Sequence, residues 1–113
     1  MIESYRFGSI TINGKTYRQD CIVSSNFIKD NWWRESGHRL TINDIKNVIE
    51  EYKPEAVVVG TGKYGLMKIL PETKEYLEGL NIKMYVAKTD EAVKVYNKLL
   101  SNVKTIGFFH LTC

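Results

Sequence analysis

Gly60, Gly62 and Gly65 stand in a G-x-G-x-x-G spacing with Lys63 among them, directly behind the apolar run Ala56-Val57-Val58-Val59. A glycine-rich turn at the exit of a buried strand leaves backbone N–H groups approachable, and bare amides beside an ammonium group suit an anion. A second apolar run, Ile82 to Val86, ends in Ala87-Lys88-Thr89-Asp90. If the two runs are neighbouring parallel strands, Gly60, Thr61, Gly62, Lys63, Lys88 and Thr89 converge on one crevice, because open parallel sheets gather ligands beyond the carboxyl ends of their strands. The dipole of a helix opening at Thr89 adds a positive end to the same place. The chemistry expected is the holding of a small anion. In a catalytic version, the Gly60 to Gly62 amides stabilise an oxyanion while His38 or Lys63 moves a proton.

The segment Trp32-Trp33-Arg34-Glu35-Ser36-Gly37-His38-Arg39 supplies indoles, guanidiniums and an imidazole close together. Trp and Arg anchor binding surfaces through large contact area and directional donors, so Arg34 and His38 join the ligand-binding candidates. One of the two indoles is expected in the core. His38 has no nucleophile and acid arranged around it in sequence, and no constellation proves a reaction, so the reading leans against an enzyme.

Other chemistry is excluded by spacing. A dinucleotide fingerprint needs an acidic residue at the end of the following strand, where this chain has Val86-Ala87-Lys88, and Pro71 interrupts any helix begun at Gly65. The turn is not a Walker loop, since no Ser or Thr follows Lys63. His110 and Cys113 are too few ligands for a closed zinc site. No metal and no cofactor are expected. Cys21 lies in a strand pattern and reads as core, while the carboxylate next to Cys113 disfavours its thiolate.

The elements that would position these groups follow from periodicity. Asn13-Gly14 joins Phe7 to Ile12 with Lys15 to Tyr17 as a hairpin, which Cys21-Ile22-Val23 is expected to extend. Ser24 to Thr41 shows no sustained period. Thr41 or Asn43 then caps a helix whose stripe is Ile42, Ile45, Val48, Ile49 and Tyr52, ended by Pro54. Pro71 opens a second helix, Thr89 caps a third with Ala92, Val93, Tyr96, Leu99 and Leu100 inward, and Thr105 to Phe109 forms the last strand. Helix, strand, helix, strand, helix, strand implies an α/β fold. The expected arrangement is three layers, a central mixed but mostly parallel sheet with helices on both faces, and an N-terminal antiparallel β unit.

Composition sets the limits. At 113 residues and 43% hydrophobic, the chain, residues 1–113, reads as a single domain. Its 16 basic residues against 13 acidic are scattered instead of forming a stripe, which argues against a nucleic-acid reader. Neither a signal-peptide core nor a membrane-spanning run is visible, and the two cysteines fit a reducing interior, so a cytoplasmic protein is expected.

Tyr5-Arg6-Phe7-Gly8-Ser9-Ile10 with Tyr17, Trp33-Arg34 before Gly37-His38, Gly60-Thr61-Gly62, Thr89-Asp90-Glu91-Ala92 with Tyr96-Asn97, and His110-Leu111-Thr112-Cys113 together carry a resemblance. The chain resembles, over nearly its whole length, the small domain of unknown function found in mitochondrial complex I assembly factor 3 and in an adipogenesis-associated cytoplasmic protein. The resemblance implies a compact α/β domain with an extra N-terminal β unit, and brings no reaction with it. The resulting expectation is a non-catalytic module binding a partner protein or a small anionic metabolite at the 60–65 and 88–90 loops. Pairing of an unpaired edge strand leaves homo-oligomerisation open.

Overall fold

The computed structural model describes residues 1–113. Its elements in chain order are Ile2–Arg6 (β1), Ser9–Ile12 (β2), Lys15–Tyr17 (β3), Cys21–Val23 (β4), Ile28–Lys29 (β5), Arg39–Leu40 (β6), Ile42–Tyr52 (α1), Ala56–Thr61 (β7), Lys68–Ile69 (β8), Pro71–Gly79 (α2), Lys83–Ala87 (β9), Thr89–Leu100 (α3) and Thr105–His110 (β10). No helix is long and apolar enough to cross a membrane.

Strands β1, β2 and β3 form an antiparallel sheet, with Asn13 and Gly14 at φ 51° and 83° in the turn between β2 and β3. The hairpin is thus present as expected. Strand β1 precedes it, hidden in the sequence by the polar run of Glu3, Ser4 and Arg6. The expectation that Cys21 to Val23 extends this unit is corrected: β4 lies in the five-stranded sheet, ordered β5-β4-β10-β7-β9, antiparallel to β10. The reason is burial, because all three β4 residues are apolar and buried, and only a sheet covered on both faces accommodates that.

Strands β10 and β9 flank β7 in parallel, with Ala56 opposite Thr105 on one side and Lys83 on the other. Successive residues of β7 serve opposite faces. Val57 and Val59 join Ile106 and Phe108 against Ile45, Val48 and Ile49 of α1 and Leu77 of α2. Val58 joins Phe109 against Ala92, Val93 and Tyr96 of α3, with Ile2, Ile10 and Ile12 of the N-terminal sheet completing that cluster. Each such aliphatic side chain contributes about 1.5–3 kcal/mol by leaving water, so both faces of β7 stabilise the sheet.

Local chemistry fixes the helix ends. The Asp44 carboxylate accepts the Thr41 N–H at 2.8 Å at the start of α1, and Lys53 turns left-handed (φ 52°) before Pro54 stops it. Pro71 is the first residue of α2, where its missing N–H is no loss.

Gly107, in the middle of β10, is where the core has least room. The Phe109 ring leans over it, and an added Cβ would lie 2.7 Å from Phe109 Cζ and 3.1 Å from Tyr96 Cδ1. Both rings are fully buried and pack edge to face at 5.8 Å, so neither has space to retreat. Gly107→Ala is therefore expected to lower stability by roughly 1–3 kcal/mol through overpacking, read as a reduced urea midpoint with an unchanged slope. Gly79, beside which an added Cβ meets nothing within 4 Å, serves as the control site.

Candidate functional site

The parallel pairing of β7 with β9 puts the 60–65 and 88–90 loops side by side on one rim of the sheet, beyond the strands' carboxyl ends. Direct contacts join them. Thr61 Oγ1 donates to the Ala87 carbonyl at 3.1 Å, the Thr89 N–H donates to the Gly62 carbonyl at 3.1 Å, and an added Cβ at Gly65 would sit 3.4 Å from the Lys88 side chain. Gly60, Thr61, Gly62, Lys63, Lys88 and Thr89 are therefore brought together.

Their backbone donors, however, are not bare. The Gly62 N–H donates to Thr89 Oγ1 at 2.8 Å, and that hydroxyl donates onward to the His110 carbonyl at 2.6 Å. The Lys63 N–H goes to the Thr112 carbonyl at 2.6 Å, Gly65 to the Gly62 carbonyl at 3.3 Å, and Leu66 to the Cys113 main-chain oxygen at 3.0 Å. Residues 112 and 113 thus lie along the turn and take up the Lys63 and Leu66 amides. Gly62 is needed for this approach: it holds φ +103°, and an added Cβ would lie 2.6 Å from the Cys113 oxygen and 2.8 Å from His110 Cδ2. Thr89 is not the cap of α3 either; Lys88 holds the N-cap position, and the Thr89 hydroxyl is spent on β7 and β10. Asp90 and Glu91 in the first turn already neutralise the positive end of the helix dipole.

What the rim leaves open is side-chain chemistry. Lys63 and Lys88 are exposed, and neither ammonium is paired with a carboxylate. Phe7 and Tyr64 lie with ring centroids 6.3 Å apart, while staying 53% and 63% exposed, and Leu66 is 46% exposed. Tyr5 donates its hydroxyl to the Leu111 carbonyl at 2.8 Å. Burial first, then the nearby Asp90 and Asp20 charges, push that phenol up to about 12, so it remains a donor at neutral pH.

Arg34 and His38 stand apart from these loops in different ways. Arg34 is buried, with Nη1 donating to Asp20 Oδ2 at 2.8 Å, Nη2 to the Gly37 carbonyl at 3.2 Å, and its guanidinium 4.7 Å from the centre of the Trp32 ring. It ties the irregular 32–38 segment to the sheet instead of facing outward. His38 is exposed; its carbonyl accepts from the Lys68 N–H at 2.8 Å, and its imidazole makes no hydrogen bond. Of the two indoles, Trp32 is 7% exposed and Trp33 is 74% exposed, the split expected of one core and one surface residue.

Asp20 and His110 escape a reading of the sequence. The Asp20 carboxylate collects the Leu111 N–H at 2.8 Å, Arg34 Nη1, and His110 Nδ1 at 2.8 Å. A carboxylate can only accept, so the bond to Asp20 places a proton on His110 Nδ1, which also lies 3.1 Å from Arg34 Nη2, and the buried Nε2 is left without a partner. Burial works against the Asp20 charge, yet the bonds from His110, Leu111 and Arg34 outweigh it and hold the carboxyl below its usual range. No local signal in the sequence announces them; they meet through the register of β4 on β10, where Cys21 opposite Phe109 puts the residue before β4 against the last residue of β10.

The lowered Asp20 pKa gives a pH signature of known sign. Its stabilising contribution is complete above the ordinary carboxylate value and is lost as pH falls through the lower folded value. Asp20→Asn, which strands the buried Arg34 charge, is expected to cost on the order of 3 kcal/mol at neutral pH and to flatten the acid limb of a stability–pH curve from urea melts. An unchanged acid limb would contradict the assignment.

Residues 2–110 match the family described as "Protein of unknown function (DUF498/DUF598)". Among solved structures, the chain is similar to the conserved hypothetical protein PH1505 from Pyrococcus horikoshii OT3, at 28% identity and TM-score 0.85, covering 100% of this chain and 99% of that one. It is similar to MT938 at 27% identity and TM-score 0.81, covering 100% and 98%. A Bartonella henselae structure titled as an outer membrane protein shares the fold at 23% identity and TM-score 0.82, covering 99% and 94%. With nearly its whole length matched, the chain belongs to the DUF498/DUF598 family of proteins of unknown function.

Proposed function

We propose that this protein is a non-catalytic binding module whose contact surface is the rim formed by the 60–65 and 88–90 loops and Phe7. Of the two ligand classes that the sequence leaves open, a protein partner is the better fit. The observation that carries this is the exposed aromatic pair Phe7–Tyr64, with exposed Leu66 two residues after Tyr64, on a turn whose Gly62, Lys63, Gly65 and Leu66 amides are already bonded within the chain. A small anion would have no backbone cradle there, whereas aromatic side chains flanked by unpaired ammonium groups suit an apolar residue next to an acidic one. The partner chemistry is accordingly an acidic, apolar segment of another protein, with Lys63 and Lys88 as its charge contacts.

The catalytic alternative has less in its favour. The Gly62 amide is spent on Thr89 Oγ1, and the His38 imidazole is bonded to nothing that would orient it. An oxyanion site needs free donors aimed at one point, and a general base needs a fixed position.

The test compares wild-type and Phe7→Ala/Tyr64→Ala baits in quantitative affinity purification from the source cells, with circular dichroism to check the fold. A protein retained by the wild type and lost by the double variant is the expected result. In parallel, thermal melting in phosphate should match melting in chloride of equal ionic strength. A specific upshift in phosphate that Lys63→Ala abolishes would favour the small-anion reading instead.

A further inference from the structure

Strand β9 is the outermost strand of the five-stranded sheet and is hydrogen-bonded on one side only, to β7. The Lys83 N–H donates to the Glu55 carbonyl at 3.2 Å, on the β7 side. Main-chain groups alternate along a strand, so Lys83, Tyr85 and Ala87 face β7, while Met84 and Val86 direct N–H and C=O away from the sheet. Val86 is also 46% exposed, and Met84 and Tyr85 are half-buried.

The other edges of the two larger sheets are blunted. The opposite edge of the same sheet, β5, has 2 residues, and β3 has 3. Strand β1 is as long as β9, but its register is broken by a bulge between Ile2 and Ser4, and the Asn97 amide of α3 bonds both the N–H and the carbonyl of Ile2. Short strands, bulges and covering side chains are the usual means by which proteins prevent edge-to-edge pairing. On β9 none of these is present: it has 5 residues, no proline, no glycine and no bulge, and its one charged residue, Lys83, stands at its first position.

We propose that β9 pairs antiparallel with β9 of a second copy of this chain, about a two-fold axis at Tyr85, joining the two sheets into one. This register follows from the outward groups. Met84 falls opposite Val86 of the second copy, each exchanging N–H and C=O, and Tyr85 faces its own equivalent as a non-hydrogen-bonded pair, where side chains approach most closely. Met84 belongs to the core face shared with α1 and α2, while Tyr85 and Ala87 belong to the face shared with α3. Val86, two residues after Met84, therefore lies on the Met84 face and gains an apolar partner across the axis.

Charge favours a second copy over a mismatched strand. In this register Lys83 lies opposite Ala87 and Lys88 opposite Ile82, so no lysine is placed directly across from a lysine. A one-residue slip would set Met84 and Val86 against the wrong face and leave their outward amides unmatched. Such a contact is isologous, so it closes at two copies and does not propagate into a fibre.

Sedimentation velocity of the full chain, from low micromolar to several hundred micromolar, reads this directly. The wild type is expected to shift from monomer to dimer across that range. Val86→Lys puts a charge against Met84, and Val86→Pro removes an outward N–H without touching the β7 ladder; both are expected to stay monomeric with unchanged circular dichroism. Since Val86 is exposed in the monomer, Val86→Lys keeps the test decisive even if the proline variant fails to fold. A wild type that is monomeric throughout, or a dimer that survives in Val86→Lys, overturns the proposal.

Discussion

The Thr89 hydroxyl, accepting from the Gly62 N–H and donating to the His110 carbonyl, joins three neighbouring chain segments at the end of the parallel strands. Without it, the glycine turn would present a buried donor with no acceptor, at a cost of about 1–3 kcal/mol. Asp20 gathers Arg34, His110 and the Leu111 N–H, which anchors the start of the 111–113 segment. Both arrangements follow one tendency: where β7, β9 and β10 end, polar groups removed from water find partners within the chain. Two side-chain nitrogens escape that tendency here, Arg34 Nε and His110 Nε2.

Much of the architecture was legible in sequence for reasons that are local. The β-branched run at 56–59 and the alternation after Thr41 carry their own periodicity, and β7, β9 and β10 are parallel as that alternation implies. Asn13-Gly14 and Pro71 act within one or two residues of themselves, so turn and helix start were equally readable. Strand β4 was not, because a three-residue apolar run has no feature that says which sheet it joins; its burial on both faces is a tertiary fact. The same displacement concealed the Asp20–His110 pair, whose members lie 90 positions apart and meet only through the β4–β10 register.

The position of the glycine turn was read correctly and its exposed amides were not. Loop proximity follows from strand order, which periodicity supplies. Whether an amide is free depends on what else arrives, and here it is Thr89 from α3 and the strap at 111–113. A threonine at a helix start looks the same in sequence whether its hydroxyl caps that helix or crosses to a neighbouring strand. In this fold it crosses, and the rim becomes a preformed surface of side chains with a bonded backbone beneath.

Amide hydrogen exchange by NMR tests that central claim most directly. The account predicts that the Gly62, Lys63, Leu66 and Thr89 amides exchange slowly, with protection approaching that of β7 and β10, since opening Lys63 and Leu66 requires the strap to lift and opening Gly62 and Thr89 requires the turn to part from α3. Exchange at these four amides as fast as in an unstructured loop would contradict it.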